Sequence, residues 1–173
     1  MANKKNKSHI KIKVADKENI IDFNLCAHEF IDFIKNFRKK FINKKFFILT
    51  AYYDGILAGL LVAEDKSKKI NSFEKLIPSV YLHLIFVNPN FRNKNLGKEL
   101  LNSFINIQKK KGIASILVRL PQGYKKGVQF FLKNGFHISK KDKTKISLEL
   151  NLWNDYGIRE CSLIYDDSNS FFL

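Results

Sequence analysis

Cysteine is scarce: Cys26 and Cys161 are the two in 173 residues. One pair cannot form the disulfide framework of a small secreted scaffold, and the two lack the spacing of a thiolate metal site. His9, His28, His83 and His137 stand singly along the chain, so no metal is expected. Long apolar runs are also missing. The longest, ILAGLLVA at 56–63, falls well short of the roughly 20 residues that span a bilayer. The basic N-terminus MANKKNKSHIKIK has no apolar segment behind it, so a signal peptide is not expected. A cytoplasmic protein without membrane contacts follows. Glycine-rich phosphate loops are lacking too: there is neither GxxxxGK[ST] nor GxGxxG. Acidic residues number 16 against 31 Lys and Arg, a net charge of +15. Such an excess attracts nucleic acid, acidic proteins or a phosphate-rich cofactor. Because the lysines are spread along the whole chain and no aromatic RNA-stacking motif accompanies them, nucleic acid is a partner the charge permits rather than favours.

What is present suits one globular domain over 1–173, with 45% apolar residues and 16 Phe to fill a core. Residues 1–7 read as a basic arm, and 153–173 as a less regular extension with room for one further strand near CSLIY. HIKIKVA (9–15) alternates as a half-buried strand does. Asp16 is placed to cap a helix, and apolar residues from Ile20 through Phe37 recur at helical spacing, as one helix or two. KFFILTAYYDG and ILAGLLVAED form a hairpin turning at Asp54-Gly55. A polar connection over 65–78 leads to the strand VYLHLIFV (80–87). A helix over 95–111 presents Leu96, Leu100, Leu101, Phe104 and Ile105 on one face and ends at Gly112. ASILVRLP is a strand, YKKGVQFFLKNG a short helix, and FHIS with KISLELNL a closing pair of strands. The order is mixed α/β, which many activities share.

Between the strand at 80–87 and its following helix lies NPNFRNKNLGKELL. Amides freed at a helix N-terminus, with the positive end of the helix dipole, form an anion site. Arg92, Lys94 and Lys98 add charge around it, and a pyrophosphate can accept several such amides at once. The plain alternative is a basic surface turn before an ordinary helix.

LIFVNPNFRNKNLGKELL resembles the acetyl-CoA-binding motif of the GNAT superfamily of N-acetyltransferases: a strand ending in valine, then Pro, then Arg/Gln-x-x-Gly-x-Gly/Ala opening a helix. GVQFFLKNGFHI resembles a later helix of that family and the Gly-Phe that opens its next strand. The resemblance covers roughly residues 9–152. It implies a mixed, mostly antiparallel central sheet with helices on both faces and a splayed cofactor cleft between the fourth and fifth strands. It also implies acetyl-CoA as cosubstrate. Main-chain groups of Ile85, Phe86 and Val87 would pair with the pantetheine arm. Arg92 and the amides of Asn93, Lys94, Asn95, Leu96, Gly97 and Lys98 would hold the pyrophosphate.

Three positions depart from that pattern. Asn95 replaces the loop glycine, and asparagine is among the residues best suited to a left-handed backbone. Phe131 stands where the family often has a tyrosine that protonates the leaving thiolate. Tyr124 or water is then the expected donor, or the thiolate leaves unassisted, since an alkyl thiol ionises near roughly 8.5. Tyr124 itself stands where a cofactor-contacting asparagine is usual. His83 aligns with a position that often carries a catalytic glutamate. An imidazole can take the amine proton near neutral pH, or His83 is a half-buried histidine bonded to a neighbour. The period-2 rule puts Tyr81, His83, Ile85 and Val87 on one face of the strand. Arg119 lines the acceptor site or the surface.

The expected function is acetyl transfer from acetyl-CoA to a primary amine by direct attack. Its alternatives are a catalytically weak CoA-binding or regulatory module of the same fold, and a basic nucleic-acid-binding protein. A monomer or a homodimer is compatible with either fold reading. No motif identifies the acceptor.

Overall fold

The computed structural model describes residues 10–15, 26, 28–30, 32, 46–66 and 78–153. Most of the expected helical region over 16–45, the 67–77 connection and the extension beyond Trp153 lie outside these residues, as do Cys161 and His9. Seven strands form one sheet: β1 (Ile10–Ala15), β2 (Phe46–Tyr53), β3 (Ile56–Asp65), β4 (Ser79–Val87), β5 (Ser115–Pro121), β6 (His137–Lys141) and β7 (Lys145–Asn151). Their order is β1-β2-β3-β4-β5-β7-β6. Every neighbouring pair is antiparallel except β4 and β5, which run parallel. The parallel pair is joined by helix α1 (Leu96–Lys110), and helix α2 (Lys125–Lys133) joins β5 to β6.

Local chemistry places these elements as the sequence reading expects. The β2–β3 turn has positive φ at both Asp54 (48°) and Gly55 (85°), the backbone of a tight hairpin whose twist matches its strands. α1 ends at Gly112 (φ 73°), where the Ile113 N–H returns to the Gln108 carbonyl at 3.1 Å.

Two apolar layers cover the sheet. On one face, Leu96, Leu100, Leu101 and Phe104 of α1 join Val128 and Phe131 of α2 over Leu61, Ala63, Val80, Leu82, Ile116, Val118 and Leu148. On the other, Cys26 and Phe30 cover Phe46, Ile48, Leu57, Leu60 and Val62. Cys26, His28 and Glu29 are helical, and the Phe30 N–H donates to the Cys26 carbonyl at 3.0 Å, so helical structure touches both faces.

The two middle strands part company along their length. β4 pairs with β5 from Ser79↔Ser115 to Leu82↔Val118 and no further. β4 then continues with β3 to Val87↔Gly59, while β5 continues with β7 to Pro121↔Lys145. The result is a cleft that opens beyond Leu82 along roughly 16 Å of β4.

β4 also carries a bulge. Val62 pairs with Leu84 and Ala63 with Leu82, so His83 is the extra residue. Period-2 alternation therefore breaks at the residue of most interest. Ile85 and Val87 face the α1 layer. His83 lies on the opposite face, its ring against Phe46 and Tyr81. The expectation that all four side chains share one face is corrected by that single inserted residue.

Glycine at 59 has a packing cause. A Cβ there would lie 2.7 Å from the Phe86 carbonyl oxygen, whereas one at Gly97 would meet only ordinary contacts at 3.8 Å with Phe130 and Val87. Gly59→Ala is expected to destabilise the fold by about 1–3 kcal/mol. Gly97→Ala should leave stability unchanged or raise it by up to about 1 kcal/mol. Urea midpoints of the two variants check the contrast, and equal midpoints would contradict it.

Candidate active site

The turn after β4 is built by its own side chains. Asn88 Oδ1 accepts from the Asn90 N–H at 3.0 Å, and Pro89–Phe91 forms one 3-10 turn. The Asn88 N–H donates to the Ala58 carbonyl at 2.8 Å, tying the start of the loop to β3. Arg92 Nε donates to the Val87 carbonyl at 3.3 Å, which folds the arginine back along the end of β4. Lys94 Nζ sits 4.0 Å from the centre of the Tyr53 ring and 5.4 Å from that of Phe91. Its charge is thus held by the aromatic faces of Tyr53 at the hairpin and Phe91 in the turn.

Asn93 (φ 62°) and Asn95 (φ 61°) both take the left-handed backbone. Asparagine adopts this region more readily than other non-glycine residues, so Asn95 reproduces the turn that a glycine would make. Its side chain makes no capping hydrogen bond. The first helical bond of α1 runs from the Glu99 N–H to the Asn95 carbonyl at 3.0 Å. The amides of Leu96, Gly97 and Lys98 therefore project from the helix end toward the mouth of the cleft. Leu96 is buried, at 1% exposure, so only its main chain is available to a ligand. Gly97 makes the nearest approach possible: its missing side chain is not demanded by the protein's own packing, as the 3.8 Å clearances above imply. The free first-turn amides of α1 beside Arg92, Lys94 and Lys98 of the same segment are groups that could hold a pyrophosphate.

At the other end of the cleft, the His83 bulge meets Glu64 of β3. His83 Nε2 and Glu64 Oε2 are 2.8 Å apart, and Lys66 Nζ lies 2.8 Å from Glu64 Oε1. The His83 ring packs edge-on against Phe46 at 5.3 Å and Tyr81 at 4.6 Å. The hydrogen bond from Lys66 holds the Glu64 carboxyl below its ordinary value of 4.5; partial burial opposes this, and the bond to His83 reinforces it. Burial pushes the Tyr81 phenol upward, with the charges of Arg119 and Lys66 pulling back, so Tyr81 is an un-ionised phenol at neutral pH. Both readings of His83 made from sequence have a counterpart here. It is bonded to a neighbour, and it has the chemistry of a base backed by a carboxylate.

Glu64 was not singled out from sequence. Its only signal was a carboxylate ending an otherwise apolar strand, and its nearness to His83 follows from the Glu64↔Tyr81 register and the bulge. Tyr124 is 56% exposed, at the N-terminus of α2, with its ring lying over Gly127. No contact joins it to His83 among the described residues. Phe131 is buried between Phe130 and Phe136. Arg119 is bound to Asp142 at 2.8 Å, which makes it a tie between β5 and the β6–β7 turn. Partial desolvation raises the Asp142 carboxyl, but the Arg119 hydrogen bond and the Lys140 charge outweigh it and leave the group lowered. His137 is exposed on β6, and His28 lies 3.7 Å from Glu29 on the surface. Among the described residues no three His, Cys, Asp or Glu side chains assemble as a metal-holding group. Nor is any helix there long and apolar enough to cross a membrane.

A family model described as an acetyltransferase (GNAT) domain matches residues 11–148. Among solved structures, the chain is similar to the PaiA N-acetyltransferase of Thermoplasma acidophilum in complex with coenzyme A. That pair shares 20% identity and a TM-score of 0.60, over 83% of this chain and 99% of the other. It is also similar to the ribosomal-protein-S18-alanine N-acetyltransferase of Escherichia coli, with 14% identity, a TM-score of 0.65, and 83% and 94% of the two chains covered. A third is Naa50 of Arabidopsis thaliana in complex with the bisubstrate analogue CoA-Ac-MVNAL, at 16% identity, a TM-score of 0.63, and 82% and 98% coverage. At these identities the likeness to the solved structures is one of fold. No curated protein matches the sequence.

Two outcomes follow from the geometry. Asn95→Val, which forces a β-branched residue to φ near 61°, should destabilise the protein by about 1–2 kcal/mol relative to Asn95→Gly, read from thermal midpoints. Because the Glu64 carboxyl is lowered from 4.5 on folding, its contribution is fully present above that pH and lost as pH falls through the folded value. The wild type should therefore exceed Glu64→Gln in urea stability at pH 7, by at most about 1 kcal/mol. The two should converge as the pH falls from 4.5 through the folded value. A gap that widens in acid would contradict the assignment.

Proposed function

The chain belongs to the GNAT family of acetyltransferases, and on that footing we propose that it transfers an acetyl group from acetyl-CoA to a primary amine by direct attack. The observation that carries this reading is the cleft between β4 and β5 with an anion-binding helix end at one side and a carboxylate-backed imidazole at the other.

In this reading the pyrophosphate of acetyl-CoA rests on the amides of Asn93–Lys98, with Arg92 and Lys98 supplying charge. The pantetheine arm lies along the main chain of Ile85–Val87 in the place a strand would take, and so carries the thioester toward His83. The acceptor enters from the side of the sheet away from α1. His83 takes the proton that an ammonium must lose before it can attack. The amine nitrogen then bonds to the carbonyl carbon, the C–S bond breaks with its electron pair on sulfur, and the second proton of the nitrogen passes to water, which balances the proton that the thiolate takes up. Phe131 has no proton to give this thiolate. Tyr124 or water supplies it, and the low basicity of a thiolate makes the help modest.

The acceptors to compare are peptide amines and small-molecule amines. Turnover across a panel of both, followed by release of free thiol from acetyl-CoA, tests the proposal. His83→Ala is expected to lower kcat by about 10²–10⁴-fold and to leave the Kd for CoA within about twofold. Tyr124→Phe should cost no more than about tenfold in kcat. The reading of a CoA-binding module without catalysis, motivated by the buried Phe131, would be favoured by tight CoA binding with no thiol release on any acceptor.

A further inference from the structure

We propose that Glu64 is a positioning residue that fixes the tautomer of His83, so that Nδ1 and not Nε2 receives the proton of the acceptor amine. The inference rests on His83 acting as the base and adds which atom acts and what holds it ready.

A deprotonated carboxylate is an acceptor only. Glu64 is in that state at neutral pH, because Lys66 and His83 both bond to it. A 2.8 Å contact between Glu64 Oε2 and His83 Nε2 then requires that Nε2 carry the hydrogen. In a neutral imidazole only one nitrogen does. Nδ1 is left with its lone pair, on a side chain that retains 30% exposure.

Each group packed around the ring is compatible with this arrangement. From β2, Phe46 offers an apolar ring edge. Just after β3, Lys66 bonds to Oε1 of Glu64 and leaves Oε2 to the histidine. Tyr81 of β4 is an un-ionised phenol stacked edge-on at 4.6 Å. Arg119 of β5, whose charge reaches Tyr81, is bound to Asp142 and so does not compete for Glu64. Among the described residues the carboxylate thus bonds to the imidazole and to Lys66.

In the step itself, the N–H bond of the acceptor ammonium breaks as Nδ1–H forms. The resulting imidazolium has its Nε2–H directed at the Glu64 carboxylate, which stabilises the new positive charge. The freed amine lone pair is then available to the thioester. Glu64 keeps its charge throughout and gains no proton.

Long-range ¹H–¹⁵N correlation of uniformly labelled protein, at a pH where histidines are neutral, reads the tautomer directly. Wild-type His83 is expected as the Nε2–H form. In Glu64→Gln, whose amide can present either an oxygen or an NH₂, the signature should become mixed. Its kcat should fall by about 10–10²-fold with the KM for acetyl-CoA within about twofold. Glu64→Asp, which keeps the carboxylate, should restore the signature in part and recover some of the rate; the same spectra report whether each variant is folded. A wild-type Nδ1–H form, or a Glu64→Gln protein that retains both signature and kcat, overturns the proposal. Undiminished turnover in His83→Ala would instead remove the base reading on which it rests while leaving the wild-type spectrum as expected, so the two failures are told apart.

Discussion

The structure depends on a division of loyalty between two parallel strands. β4 is bonded along its length to β3, and β5 to β7, and each antiparallel partner leads away from the other strand. Four residue pairs hold β4 and β5 together before they separate. A sheet that continued this ladder would have no cleft. The apolar layer of α1 and α2 packs on the common face of both halves and joins them across the split. Beyond Leu82 the side of β4 that faced β5 has no strand partner among the described residues, and at its end the chain turns into the N-terminus of α1.

The bulge at His83 is the second local device, and it acts on direction rather than position. One extra residue turns the imidazole from the α1 face to the face shared by Glu64 and Tyr81. Without it, the side chain at 83 would alternate in step with Ile85 and Val87 and point into the hydrophobic layer. With it, the histidine gains a carboxylate partner at 2.8 Å and retains access to solvent. Ile85 and Val87 therefore face the α1 layer while His83, on the same strand, faces the other side of the sheet.

The loop shows how a departure from a family pattern can be neutral in geometry. Asn95 takes φ 61°, so the glycine's conformational role is filled, although its side chain adds bulk near the helix end. Phe131 is a different kind of departure. It is part of an aromatic cluster with Phe130 and Phe136, where a hydroxyl would need a partner. One change preserves a backbone and the other removes a chemical group, and composition alone does not separate the two cases.

Much of the fold was legible in the sequence. Alternation marked β1, the Asp54-Gly55 dipeptide marked the hairpin, and Leu96, Leu100, Leu101 and Phe104 marked the buried stripe of α1, because these signals are local and repeat with the period of their element. The turn into α1 was legible for the same reason, since Asn93 and Asn95 take the left-handed backbone within consecutive residues. The face of His83 was not. It is decided by which residue of β4 is left over when β3 is paired, and that is a property of two strands together. The Glu64 contact and the Arg119–Asp142 tie likewise join residues 19 and 23 positions apart. Sequence by itself determined the elements and the amides of the loop; only the tertiary structure decided which side chains meet, because register and bulges set the facing of a strand and neither is written in its own residues.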